Sequence, residues 1–331
     1  MKVFLSHPPE GLAYYGERPR AELARVAEVV RNPTGRVLEP DELAEAAAGC
    51  AVIVADRQTT APASLFERSP DLVAFVRGAV DIRTVDVEAA SRAGVLVTRA
   101  SPSFGPSVAE LALGFMVDLA RGITDYAQTY RTGEPPAAQM GRQLKESTLG
   151  IIGYGVIGRE LARIGLALGM TVLVDDPHKR IEDEGVRQVS LDELLREADF
   201  VVCLAVATSE TENLMGADQF ARMKRTAFFV NLSRGNLVDE DALAAALDAK
   251  RIAGAAMDVG RAPDQMPSPA LARRTDVIAT PHIGGLTPGA TERQALDTVE
   301  QVRAIAQGRV PQGAVNADKA TRLARLKGGP T

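Results

Sequence analysis

The sequence predicts an α/β protein built on two doubly wound parallel sheets. Three observations point there. Short apolar or β-branched runs alternate with Ala-, Glu-, Leu- and Arg-rich helical stretches along most of the chain, the pattern of parallel strands covered by helices on both faces. The length of 331 residues suits about two domains. A Pro-rich break, Ser101-Pro102-Ser103-Phe104-Gly105-Pro106, divides two separate strand series.

In the first series the candidate strands are Lys2 to Leu5, Arg36 to Leu38, Ala51 to Ala55, Leu72 to Val76 and Val95 to Thr98. Arg20 to Val30 and Asp41 to Ala47 read as helices between them. After the break, Val108 to Arg121 is apolar enough for a helix that packs on several sides. The second series runs through Thr148 to Ile152, Thr171 to Val174, Phe200 to Ala205, Ala227 to Asn231, Ala253 to Met257 and Val277 to Ala279. Ser190-Leu191-Asp192-Glu193 has the spacing of a capping box, opening a helix that ends before Asp199. Beyond residue 312 the periodicity fades, and Lys319 to Lys327 reads as a solvated terminus.

Composition removes several function classes. With 46% hydrophobic and 24% charged residues, the chain has an ordinary globular make-up. A net charge of −5 argues against a nucleic-acid partner, which needs a basic face. No apolar run approaches the ~18 residues of a membrane helix, and Pro8-Pro9 interrupts the N-terminus before a signal core develops. A cytoplasmic location with no membrane partner is the expectation. Cys50 and Cys203 lack CxxC spacing and a neighbouring His, so they read as buried apolar residues, and no metal site is expected.

The densest motif is Gly150-Ile151-Ile152-Gly153-Tyr154-Gly155-Val156-Ile157-Gly158, a GxGxxG placed after a strand and before a helical run. Gly153 permits the tight turn, Gly155 lets backbone approach a pyrophosphate, and Gly158 lets the helix pack closely, its first amides facing the phosphates. The next strand ends in Asp175-Asp176-Pro177, and Asp176 stands where an acid meets the adenine ribose. A carboxylate there repels a 2′-phosphate, so NAD is expected in preference to NADP. Lys179 and Arg180 read as surface charge.

Two later segments put polar groups just past strand ends, where open α/β sheets place their chemistry. They are Asn231-Leu232-Ser233-Arg234-Gly235 and Thr280-Pro281-His282-Ile283-Gly284-Gly285. Here the sequence resembles the D-2-hydroxyacid dehydrogenase family, from roughly Leu72 to Gln294. Val85 to Ala90, Val108-Ala109-Glu110, Thr208 to Leu214 and Ala255 to Val259 carry the likeness further. The resemblance implies two Rossmann-like domains, with the cofactor domain inserted into a smaller flavodoxin-like substrate domain. The expected spans are 1–100 for the first part of the substrate domain, 101–284 for the NAD domain, and 285–331 for the return and tail. The active site is expected in the cleft between them.

The resemblance also implies interconversion of a 2-hydroxy acid and a 2-keto acid, with Arg234 on the carboxylate and carbonyl and His282 as acid/base. The chemistry agrees: Arg offers a permanently charged planar fork and His exchanges a proton near neutrality. Val156, Ile157, Thr211, Leu232, Asp258 and Gly284 join the three fingerprint glycines and Asp176 as expected cofactor contacts. For Asp258 a buried loop-capping role is the competing reading. Arg77, Ala79, Val80 and Asp81 are the expected substrate contacts, with Ser6, His7, Arg57 and Gln58 as further strand-end polar groups. The stretch Val108 to Arg121 resembles the family's dimerisation region, which implies a homodimer.

The chain departs from the family in two places. The family's Glu, which holds the catalytic His, is expected at Ala262 or Pro263, and the nearest acid is Asp264. A carboxylate beside an imidazole favours its protonated form, so without one His282 is a less ready proton donor unless Asp264 reaches back. An NAD(H)-binding sensor with little turnover is the alternative this motivates. In the substrate loop, Arg77-Gly78-Ala79-Val80-Asp81 carries an acid in place of a second glycine. Asp81 would repel a second carboxylate unless Arg77 or Arg83 offsets it.

Overall fold

In the computed structural model, which describes residues 1–326, the chain divides into two compact units. Lys327, the last residue of the tail reading, lies outside the described residues. Among the described residues, one unit comprises residues 1–103 and the chain from 288 onward, the other residues 104–287.

The smaller unit carries five parallel strands: β1 (Lys2–Leu5), β2 (Glu28–Arg31), β3 (Val52–Ala55), β4 (Ala74–Arg77) and β5 (Leu96–Arg99). Their spatial order is β2-β1-β3-β4-β5, the flavodoxin-like arrangement. Strands β3 and β4 are buried along their whole length, because helices cover both faces, and two apolar clusters fill the two sides.

The first helix-to-strand region corrects the sequence reading. The helix spans Glu17–Val26, and Glu28-Val29-Val30-Arg31 forms the edge strand, with Val29 level with Val3. The two valines pair with β1 rather than extending the helix, since β-branched residues favour a pleated, half-buried edge. Arg36 to Leu38 is a loop. Asn32 ties it down, its amide donating to the Ser6 and Arg36 carbonyls at 3.0 and 2.8 Å.

The tail is also not a free terminus. Ala314 bridges antiparallel to Thr98, and the Asn316 side chain bonds the Val97 amide, the Val95 carbonyl and Ser91. Arg322 donates to the carbonyls of Ser69 and Leu72, and Leu323 is buried against the sheet.

The larger unit has seven parallel strands: β6 (Thr148–Ile152), β7 (Thr171–Asp175), β8 (Val186–Gln188), β9 (Phe200–Cys203), β10 (Phe228–Asn231), β11 (Gly254–Met257) and β12 (Val277–Ala279). The order β12-β11-β10-β9-β6-β7-β8 reverses direction beside β6, the switch point where doubly wound sheets bind ligands. The short edge strand β8 has an exposed pattern without an apolar run, so nothing in its residue types marks it as a strand. The helix Gly105–Arg121 buries Val108, Ala109, Ala112, Phe115 and Met116 in this unit's own core. Of the capping box, Ser190 accepts from the Glu193 amide, while the Glu193 carboxylate turns to Arg187. Both cysteines are free and buried.

Candidate active site

The glycine turn follows β6, the switch-point strand of the larger unit. Gly153 has φ +95°, and a Cβ there would lie 2.7 Å from the Ala205 backbone, so this position admits glycine alone. A Cβ on Gly158 would stand 2.5 Å from the Gly153 carbonyl, which is the close helix-to-turn packing expected of it. Gly155 differs: a Cβ there meets nothing within 4 Å, so its Cα faces open space. The helix Val156–Ala167 starts at this point with no side-chain cap and no acid in its first turn. Its unpaired first-turn amides and positive dipole end make an anion seat. Val156 is 47% exposed at that mouth, while Ile157 packs partly against the core.

Asp176 follows β7 and is nearly buried. Its Oδ2 accepts from the Tyr154 amide at 2.9 Å and its Oδ1 from the His178 amide at 3.0 Å. Each oxygen keeps a second lone pair, so two ribose hydroxyls still find acceptors. Lys179 is more than surface charge: its Nζ donates to the Tyr154 carbonyl at 2.6 Å and lies 4.0 Å from Asp176. The Tyr154 hydroxyl is pushed up to about 12 by burial first and Asp183 second.

Strands β10, β11 and β12 are neighbours whose ends are level, Asn231 beside Met257 and Met257 beside Ala279. The loops after them therefore emerge at one edge, with β10 and β12 about 10 Å apart at ~4.8 Å per strand. After β10, the fully buried Asn231 shapes the turn, accepting from the Ser233 amide and donating to the Arg234 carbonyl. Ser233 reaches the Ala205 carbonyl at 2.5 Å. Arg234 is partly buried in extended backbone, with one guanidinium nitrogen 2.7 Å from the Ser233 carbonyl.

After β11, Asp258 is 2% exposed and its carboxylate is committed to the next loop. Oδ1 accepts from Thr280 Oγ1 at 2.6 Å and the Ile283 amide at 2.8 Å, and Oδ2 from the Gly284 amide at 2.8 Å. The loop-capping reading describes this geometry: three donors take three of the buried carboxylate's four acceptor sites. Gly284 is buried against it, where a Cβ would come within 2.9 Å of Oδ2. Leu232 and Thr211 likewise have structural duties. Leu232 lies in the core, and Thr211 closes its own turn, accepting from the Thr208 amide and donating to the Val206 carbonyl.

His282 sits at φ +57° in the turn that Asp258 holds. Its Nδ1 is 2.9 Å from the main-chain carbonyl oxygen of Asp264. Asp264 thus meets the imidazole through its backbone. Residue types point only to its side chain, because a carbonyl exposed by backbone conformation leaves no signal in the sequence.

In the smaller unit, Arg77 is 2% exposed, which contradicts the substrate-contact reading. Its guanidinium donates to the carbonyls of Asp56, Thr59, Arg57 and Asp81 and to Thr84 Oγ1. A cation with its donors spent on four carbonyls and a hydroxyl builds a loop. Ala79, Val80 and Asp81 are partly exposed on that loop, and Arg83 grips the Asp81 carboxylate with two nitrogens. Ser6 and His7 are buried; Ser6 bonds Thr59, and His7 is edge-on to Tyr15 at 4.9 Å. Burial pulls His7 down to about 4, against the raising field of Asp56 and with a lowering one from Arg77. Among the described residues no cluster of His, Cys, Asp and Glu could hold a metal, and no helix is long and apolar enough to cross a membrane.

Residues 113–284 match the family model for the D-isomer specific 2-hydroxyacid dehydrogenase NAD binding domain. The D-3-phosphoglycerate dehydrogenase of Synechocystis sp. is 37% identical over 244 residues, 72% of this chain and 44% of that one. The chain thus spans less than half of that relative. The hydroxypyruvate reductase of Thermotoga maritima is 33% identical over 274 residues, 81% of this chain and 89% of that one. Among solved structures, the TT0316 protein from Thermus thermophilus superposes with a TM-score of 0.83 at 31% identity, covering 95% of this chain and 100% of that one.

Proposed function

Because the chain belongs to the D-isomer specific 2-hydroxyacid dehydrogenase family, we propose that it interconverts a 2-hydroxy acid and a 2-keto acid with NAD. One observation carries this reading. A glycine turn with an open anion seat shares a sheet edge with the loops bearing Arg234 and His282. The open face of Gly155, the uncapped helix start and the spare lone pairs of Asp176 fit a pyrophosphate and an adenine ribose. When bound, NAD supplies the nicotinamide that takes or gives the hydride.

The chain's own residues supply the rest. Arg234 holds the carboxylate and carbonyl oxygen in a planar fork and stabilises negative charge growing on that oxygen. His282 donates Nδ1–H to the Asp264 carbonyl, which leaves Nε2 to take the hydroxyl proton in oxidation and return it in reduction. Asp81 already has Arg83 as its counter-ion. That counter-ion offsets the repulsion of a second substrate carboxylate expected from Asp81. Two free, buried cysteines suit a reducing compartment, and we place the protein in the cytoplasm. Ile123, Tyr130 and Met140 are exposed apolar side chains on and after the helix Ile123–Arg131. They favour a homodimer, which light scattering would report as twice the 35.1 kDa chain mass.

A panel of 2-keto acids with NADH, followed by loss of NADH absorbance, tests the reading. Turnover is expected on at least one acid, and His282→Ala and Arg234→Ala are each expected to reduce it about a hundredfold or more. A second reading, an NAD(H)-binding sensor, draws on the neutral carbonyl that faces His282. Tight NADH binding with no turnover across the panel would support it instead.

A further inference from the structure

We infer that Arg261 is a positioning residue which, through the backbone of Asp264 and Gln265, holds the His282 imidazole in the tautomer protonated on Nδ1. The inference rests on the reading of His282 as acid/base and adds how this chain orients it.

A carbonyl oxygen only accepts, so the 2.9 Å contact between Asp264 O and Nδ1 requires the proton on Nδ1. Nε2 then carries the lone pair that proton exchange needs. The carbonyl is presented by an unusual backbone: Asp264 and Gln265 have φ of +56° and +58°, two successive non-glycine residues in the left-handed region. That conformation persists only where its surroundings hold it.

The loop is closed from within, Gly260 N donating to Gln265 O at 2.8 Å and Ala262 N to Met266 O at 3.0 Å. Arg261 anchors it from outside. Its amide donates to Glu240 Oε1 at 2.9 Å and its Nε to the Val238 carbonyl at 3.1 Å. One terminal nitrogen reaches Glu212 Oε1 at 2.9 Å, Asn213 Oδ1 at 2.5 Å and the Asn236 carbonyl at 3.1 Å. Val238 and Asn236 belong to the turn that follows Arg234, and a Cβ on Gly235 would lie 2.0 Å from the Gly260 carbonyl. One side chain thus locks the His282 partner loop to the Arg234 loop. A main-chain acceptor needs no acidic side chain, so orientation survives where the family's Glu is replaced.

With only three histidines, side-chain 15N spectra of 15N-histidine-labelled full-length protein can resolve the His282 tautomer, assigned by its loss in His282→Gln. At about pH 9, above the ordinary imidazole range, the wild type is expected to show Nδ1–H. Asp264→Asn and Asp264→Gly are expected to keep it, since both residues tolerate the left-handed region and retain the carbonyl. Asp264→Pro cannot adopt φ +56°, and it and Arg261→Ala are expected to give mixed or Nε2–H signals. Both are expected to lose about ten- to hundredfold in kcat, with NADH affinity retained. Arg261→Lys keeps the charge beside Glu212 but not the fork, and is expected to behave like Arg261→Ala.

An Nε2–H wild type overturns the inference, as does an unchanged tautomer in Arg261→Ala. A shift in Asp264→Asn or Asp264→Gly equal to that in Asp264→Pro also overturns it. The tautomer is read without substrate, so absence of turnover would strike the dehydrogenase reading alone. Turnover with an Nε2–H ring would strike this inference alone.

Discussion

His7 and Asp258 show how much a buried polar residue's role depends on what surrounds it. Asp258 spends its carboxylate on three donors of the Thr280 to Gly284 turn. Replacing it by Ala strands the buried Gly284 amide, at about 1–3 kcal/mol, and the part-buried Ile283 amide, and frees the His282 turn. Asp258→Ala is therefore expected to lower the urea midpoint and kcat together, whereas Arg234→Ala lowers kcat alone. Unfolding curves of the two variants side by side distinguish these roles.

For His7 the signature is pH. Its ordinary value of 6.5 falls to about 4 in the fold, so the ring is neutral in both states above pH 6.5. Between 6.5 and 4 the unfolded chain takes up a proton that the folded chain refuses, so stability is lost as pH falls through that window. At ~1.4 kcal/mol per unit the loss is on the order of 3 kcal/mol. Urea unfolding at about pH 7.5 and about pH 4.5 is expected to show a smaller drop in His7→Gln than in the wild type. Equal drops would contradict the assignment.

At the scale of elements, the glycine turn divides into positions that the fold requires to be glycine and one, Gly155, whose open face the proposed NAD seat uses. Gly158→Ala pushes a methyl to within 2.5 Å of the Gly153 carbonyl and is expected to lower thermal stability. Gly155→Ala has open space and a negative φ. It is expected to melt within a degree or two of the wild type while binding NADH at least tenfold more weakly, by calorimetry. A Gly155→Ala variant with unaltered affinity would show that nothing approaches that face.

Much of this element is legible in sequence, because glycine spacing between a strand and a helix is itself the steric constraint. The edge strand Glu28–Arg31 is not, since its half-exposed pattern sits directly after a helix and only pairing with β1 defines it. Arg77 misleads for a related reason. Four carbonyls converging from the loops after β3 and β4 leave no trace in residue type, so a buried structural cation reads as a substrate ligand. The Asp264 carbonyl escapes sequence reasoning on the same grounds.

At the scale of the whole molecule, the chain leaves the smaller unit at Ser103, builds the larger one and returns at Pro288. The smaller unit's stability therefore depends on residues at both ends of the sequence. The weak periodicity after residue 312 conceals this, because Asn316 and Arg322 act through hydrogen bonds to backbone and the apolar anchors, Ala320 and Leu323 among them, form no extended run. Truncation after Gln312 removes the partners of Val95, Val97, Ser69 and Leu72. Calorimetry is expected to show a transition for the smaller unit lower by roughly 5 °C or more, given several lost bonds at ~1 kcal/mol each, with the larger unit's transition unmoved.

In the proposed reaction, hydride passes between NAD and C2 of a small acid beside Arg234 and His282. Mass spectrometry of the product formed from a 2-keto acid and NADH deuterated at the transferable position reads that transfer directly. One deuterium is expected on C2 of the 2-hydroxy acid, formed by the wild type and reduced about a hundredfold or more in His282→Ala. Bound NADH with no deuterium transferred to any acid of the panel would contradict it.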